Sequence, residues 1–139
     1  MPAVSSPAPY VIGVHAAGDY EAVVARTRAE LLKEGFGVIS EIDIAATLKN
    51  KLGVDAPPQV ILGACNPGFA HQALLAEPEI GTLLPCNVVV RQDGARVAVS
   101  AMDPVAALSL TKNDRVAQVA GEVRERLARA LAAIAEGAK

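Results

Sequence analysis

Two short sites hold the side chains of this sequence that could do chemistry. They are Gly63-Ala64-Cys65-Asn66-Pro67 and Leu84-Pro85-Cys86-Asn87-Val88, and between them they contain both cysteines of the chain. Each cysteine is followed directly by asparagine. A thiol and an amide together could bind a small ligand or a metal, or the thiol could act as a nucleophile. Zinc motifs usually bring cysteines in close pairs such as Cys-x-x-Cys. Cys65 and Cys86 are far apart and have no evident third ligand, so a metal reading is weakly supported. The bland alternative is packing, because free cysteine is among the most buried residue types. Asn66 reads as a helix cap. Asn87 has no such explanation, since asparagine is disfavoured inside strands.

The two histidines, His15 and His71, add little. His71 follows Cys65 on the next helix, where a solvated position is the simpler reading. No Ser/His/Asp motif, P-loop or Gly-x-Gly-x-x-Gly signature is present, and no cofactor is identified.

The elements that must position these sites are legible from periodicity. Residues 10–15 read as a strand, and Asp19 then caps a helix with Tyr20, Val24, Thr27 and Leu31 on its apolar face. Gly35 is its natural left-handed end. Residues 36–42 form a second strand, with Phe36, Val38 and Ile42 sharing a face. Asp43 caps a short helix over residues 44–51, and Pro57-Pro58 excludes helix after it. The third strand, residues 59–64, places Val60, Leu62 and Ala64 on one face.

Asn66-Pro67 is a cap followed by proline at the first helical position, which opens a helix over residues 67–76. Cys65 therefore stands one residue before a helix N-terminus, an end that favours a thiolate or an anion. Residues 83–92 and 95–102 read as two strands joined by an Asp93-Gly94 hairpin turn. Pairing Gln92 with Ala95 sets Val90 against Val97, Cys86 against Ala101 and Arg91 against Arg96. Pro85 suggests a free or bulged side on the fourth strand, which could serve a dimer contact. Asp103-Pro104 starts a short turn of helix through Leu110. Asn113 then caps a long amphipathic helix with Val116, Val119, Val123, Leu127, Ala130, Leu131 and Ile134 inward. Glu122–Arg126 and Glu125–Arg129 have the spacing of favourable pairs on its wet side.

The expected fold is α+β: a mostly antiparallel sheet of about five strands, in the order βαβαβαββα, with helices packed on one face. Residues 1–9, with three prolines among small residues, read as a disordered lead-in to a single domain over residues 10–139. They lack the charged start and apolar segment of a secretory signal. The apolar fraction is 52% but aromatics are only 3%, so the core is built from Ala, Val, Leu and Ile. A net charge of -2 with mixed signs speaks against nucleic acid. No apolar run has membrane-spanning length. The expected compartment is the cytoplasm, where the two cysteines would be free thiols.

Several pieces together resemble a known family. Glu34-Gly35-Phe36-Gly37-Val38, Glu41-Ile42-Asp43, Ile61-Leu62-Gly63-Ala64-Cys65-Asn66-Pro67, Glu77-Pro78-Glu79-Ile80-Gly81 and Leu83-Leu84-Pro85-Cys86-Asn87-Val88-Val89-Val90 resemble the bacterial and archaeal family called domain of unknown function 302. The resemblance spans about residues 10–134. It implies a compact α+β domain that forms a homodimer, with no assigned reaction.

Three functions stay open on the sequence. The first is a binding module for a small ligand, anion or metal near Cys65, Asn66, Cys86 and Asn87. The second is a thiol-dependent enzyme or redox protein using Cys65, with Cys86 as resolving partner. The third is a structural or regulatory homodimer without chemistry.

Overall fold

The structure, a computed structural model, describes residues 4–137. Six strands, β1 (Ser5–Ala8), β2 (Val11–Ala16), β3 (Gly37–Asp43), β4 (Gln59–Cys65), β5 (Cys86–Asp93) and β6 (Arg96–Met102), form one sheet in the order β1-β2-β6-β5-β4-β3. Every neighbouring pair is antiparallel. The helices are α1 (Tyr20–Lys33), α2 (Ile44–Leu52), α3 (Pro67–Ala76), α4 (Pro104–Leu108) and α5 (Asp114–Glu136). The α+β architecture is the one expected, with one strand more.

That strand corrects the reading of the N-terminus. Ser5–Ala8 pairs with β2, Ser5 opposite Gly13 and Ala8 opposite Val11, and Ser5 Oγ donates to the Gly13 carbonyl at 3.3 Å. β1 is an edge strand, and proline, which has no N–H to donate, is tolerated at an edge. Composition alone suggested disorder because three prolines stand there among small residues. Residues 1–3 of the expected lead-in lie outside the described residues.

The core fills the space between one sheet face and helices α1 and α5. Ile12 and Val14 of β2, Leu62 of β4, Val88 and Val90 of β5 and Val97 and Val99 of β6 meet Val23 and Leu31 of α1 and Val123, Leu127, Leu131 and Ile134 of α5. Fully burying one such side chain is worth about 1.5–3 kcal/mol, so the long stripe on α5 anchors the helix layer. A smaller cluster of Ala73, Ile80, Leu108, Val116 and Ala120 ties α3 and α4 to the start of α5.

Four local features differ from expectation. First, the β5–β6 hairpin turns at Gly94-Ala95, not Asp93-Gly94. Gly94 has φ of 60°, as a two-residue turn with glycine first requires. Asp93 therefore faces Arg96, Val90 faces Val99 and Val88 faces Ala101. The register moves by two residues, so every side chain keeps its expected face. The expected Arg91–Arg96 repulsion is replaced by an Asp93–Arg96 pair.

Second, β3 is interrupted: Val38 pairs with Ala64 but Ser40 pairs with Gly63, leaving Ile39 as an extra residue. A bulge breaks the period of two, so Ile42 leaves the Val38 face and lies opposite Ile61, 48% exposed. Third, β5 begins after Pro85 and runs between β4 and β6. The strand opens at Cys86 and not at residue 83, and just after Pro85 its residues Cys86 and Asn87 pair with β4 alone, β6 joining from Val88 on; the edges of the sheet are β1 and β3. Fourth, neither expected ion pair within α5 forms. Arg129 instead binds the Glu34 carboxylate at 3.0 Å, and Arg126 donates to the Glu34 carbonyl at 3.3 Å. The end of α1 lies within reach of both arginines, and exposed pairs along one helix are worth only a few tenths of a kcal/mol.

Candidate functional site

Cys65 is the last residue of β4, and Asn66 turns the chain into α3. The Asn66 side chain accepts from the Phe69 N–H at 3.4 Å, and Pro67 occupies the first helical position. Across the ladder, Cys86 opens β5 directly opposite Ala64. The two cysteines are thus brought together at one end of neighbouring strands. Both line a single pocket.

The pocket has a volume of about 350 Å³. Its floor is the strand end with Ala64, Cys65 and Cys86. One wall is α3, through Phe69, Ala70, Ala73 and Leu74. The opposite side is closed by Leu84 and Pro85, and the back by Val119 and Val123 of α5. Phe36 and the bulged Ile39 complete it. These walls are almost wholly apolar. The chain contains two phenylalanines and two cysteines in all, and all four stand in this pocket. Rare residue types that are widely separated in sequence converge here.

Local folding rules place the aromatic walls. Helix α1 ends in a left-handed Gly35 with φ of 89°. Gly35 N–H donates to Leu32 O at 3.0 Å and Phe36 N–H to Leu31 O at 2.9 Å. This double bond pattern is the Schellman ending, and it fixes where the next side chain goes. Phe36 is thereby turned inward, 1% exposed. Phe69 is held on its other side by Arg126, whose guanidinium carbon lies 5.2 Å from the ring centroid.

Of the four residues expected to form a site, the structure gathers three. Cys65, Asn66 and Cys86 line the pocket; Asn87 does not. Asn87 is exposed and lies opposite Gly63, on the side of the sheet turned away from the α1–α5 core. His71 is exposed on α3 and takes no part in the wall. His15 lies at the far end of the sheet, with Nε2 3.1 Å from the Asp93 carboxylate.

The chemistry open to this arrangement is limited. No group of three His, Cys, Asp or Glu that could hold a metal ion occurs among the described residues. The start of α3 is nearly saturated: Pro67 has no N–H, Phe69 N–H goes to the Asn66 side chain and Ala70 N–H to the Asn66 carbonyl at 2.9 Å. A free anion would find few donors there.

Burial pushes the Cys86 thiol up from its ordinary 9.0 to about 11, and the neighbouring Cys65 adds to the rise. Cys86 is expected to alkylate roughly a hundredfold more slowly than an ordinary thiol at neutral pH, because the thiolate is the reactive form. Its rate should climb only as pH approaches 11. Intact-mass timing of iodoacetamide labelling on a Cys65→Ser variant checks this; fast labelling near pH 7 would contradict it.

Sequence reasoning missed Phe36, Ile39, Phe69, Ala73, Leu84, Val119 and Val123 as site residues. The one available signal was the scarcity of phenylalanine in an aliphatic chain.

A family model described as "Domain of unknown function DUF302" matches residues 12–134. Among solved structures, the uncharacterized conserved protein DUF302 from Bacillus stearothermophilus is similar, with 28% sequence identity and a TM-score of 0.85. The alignment covers 91% of this chain and 98% of that one. No curated protein matches. No helix among the described residues is long and apolar enough to cross a membrane.

Proposed function

We propose, from the premise that this chain belongs to the DUF302 family, that it is a binding module for a small apolar molecule. The observation that carries this reading is the pocket of about 350 Å³ whose walls gather both phenylalanines and both cysteines of the chain. Ligand sites are commonly clefts of about 300–1,000 Å³, mostly apolar, with a few polar groups for orientation. Here Asn66 and the two thiols are those groups. An aliphatic chain or a small ring fits the lining; a hydrated metal or a free phosphate does not, because almost nothing in the wall would replace its water.

Calorimetric titration with decanol tests this. Saturable binding of one molecule per chain is expected. A flat titration together with unchanged thermal stability would remove the reading.

The thiol-enzyme alternative is weaker, because a resolving cysteine must supply a thiolate and burial holds Cys86 in its neutral form.

A second reading concerns pairing of two copies, and the outward sheet face favours it. A row of Gly13, Ser100, Val89, Ile61 and Ile42 runs across five adjacent strands. It is apolar at its centre and lies on the side of the sheet turned away from the α1–α5 core. Light scattering is expected to give the mass of two chains, and Val89→Lys to give the mass of one. A wild-type monomer at micromolar concentration would end this reading and leave the pocket reading untouched.

A further inference from the structure

We infer that the pocket takes an apolar chain ending in an α,β-unsaturated carbonyl group, and that Cys65 captures this molecule covalently. The inference rests on the binding reading above and names the class of molecule bound. The pocket lining is graded from a closed end to an open one. Phe36, Ala64, Cys86 and Val123 are at most 7% exposed, whereas Ile39 and Leu74 are 66% and 42% exposed. A bound chain therefore sets its tail against the closed end and its head group toward the mouth. Cys65 is half-buried, between these extremes, where the head group comes to rest.

The lining also selects the chemistry. Among the described residues it contains no Lys, His, Ser, Thr, Tyr, Asp or Glu, so its nucleophiles are the two thiols, both free. Cys86 lies opposite Ala64, the residue before Cys65. The Cys86 thiol is buried, has no hydrogen-bond partner among the described residues, and is held neutral by the rise to about 11. It packs against the tail and leaves Cys65 as the reactive sulfur. Hydrolysis or acyl transfer would need a general base, and the lining supplies none. Conjugate addition needs only a thiolate and water. The sulfur lone pair forms a bond to the β carbon, and the π pair of the C=C bond moves into an enolate. The α carbon then takes from water the proton that the thiol released to it. The whole molecule is added, nothing is oxidised or reduced, and no resolving cysteine is required.

The test uses two enones that differ only in tail: methyl vinyl ketone carrying a hexyl group on its β carbon, and the same ketone carrying a methyl group there. Both react with the wild-type chain at neutral pH, adducts being followed by intact and peptide mass, and in parallel with free N-acetylcysteine. The ratio of hexyl to methyl rate constants is expected to be at least about tenfold larger on the protein than on the free thiol, because each methylene buried in the pocket strengthens binding before the bond forms. The hexyl rate should saturate, its single adduct should sit on Cys65, and excess decanol should return the ratio to the free-thiol value. Cys65→Ser should stay unlabelled over the same time. Equal ratios on protein and free thiol would overturn the inference, by showing Cys65 to be an accessible thiol with no bound ligand beside it. A first adduct on Cys86, or labelling of Cys65→Ser at the wild-type rate, would also overturn it. Calorimetric binding of decanol would in those cases still uphold the apolar-ligand reading. A flat decanol titration together with equal ratios would overturn both.

Discussion

Replacing Gly35 with alanine is expected to cost about 2–3 kcal/mol of stability, from two separable sources. The backbone there has φ of 89°, and an L side chain in that region costs about 1–2 kcal/mol. The new Cβ would also sit 2.7 Å from Asn66 Nδ2, closer than real contacts allow. The amide must then move, and moving it endangers the cap on α3, itself worth about 1 kcal/mol. Urea unfolding measures the sum. In an Asn66→Ala background the same substitution should cost only the backbone part, because no amide is left to displace. A loss in the wild-type background no larger than in the Asn66→Ala background, about 1–2 kcal/mol, would mean the amide swings aside freely, and Gly35 would not hold the site together. Since Phe36 and Asn66 both line the pocket, the variant should also bind decanol more weakly than wild type.

Filling the pocket should separate binding from folding. Ala70 lies on α3, half-buried, with its methyl group at the pocket wall. Ala70→Phe would project a ring into space that holds no protein atoms. Added bulk is destabilising where a core is already close-packed. Filling a void is commonly neutral or stabilising by about 0.5–2 kcal/mol. The expected result is therefore decanol affinity reduced at least about tenfold with unfolding stability equal to wild type or slightly higher. Unchanged affinity in a folded Ala70→Phe protein would place any bound molecule elsewhere. A parallel loss of stability and affinity would show instead that the wall is tightly packed and not a site.

Much of the fold could be read from short-range chemistry. Asp19, Asp43, Asn66, Asp103 and Asn113 all cap helices through their side chains, as their positions before apolar runs suggested. The β5–β6 faces survived a wrong turn assignment, because a shift of two residues preserves side-chain direction. What could not be read were features without a local pattern. The β3 bulge adds one residue at Ile39, and alternation carries no mark for it. Arg126 was assigned to Glu122 by spacing, but the packing of α1 against α5 offers it the Glu34 carbonyl and the Phe69 ring. The pocket itself draws on the end of α1, the β4–α3 junction, the approach to β5 and the middle of α5. The cysteines marked two of those places by being paired with asparagine. Phe36 marked one more, the end of α1, while Phe69 stands on α3 beside the junction that Cys65 already marked; only tertiary structure brings Phe36 and Phe69 together. Asn87, chemically conspicuous in the sequence, faces away because the residue after Cys86 must point to the opposite side of the sheet.

The most direct test of the central claim is residue-resolved: amide chemical-shift changes during a decanol titration of the wild-type protein. Saturating changes at Phe36, Cys65, Asn66, Phe69 and Cys86, with the outward sheet residues Asn87, Val89 and Ser100 unmoved, are the predicted result. Changes confined to the outward face, or no saturating change at any amide, would contradict a ligand site in this pocket.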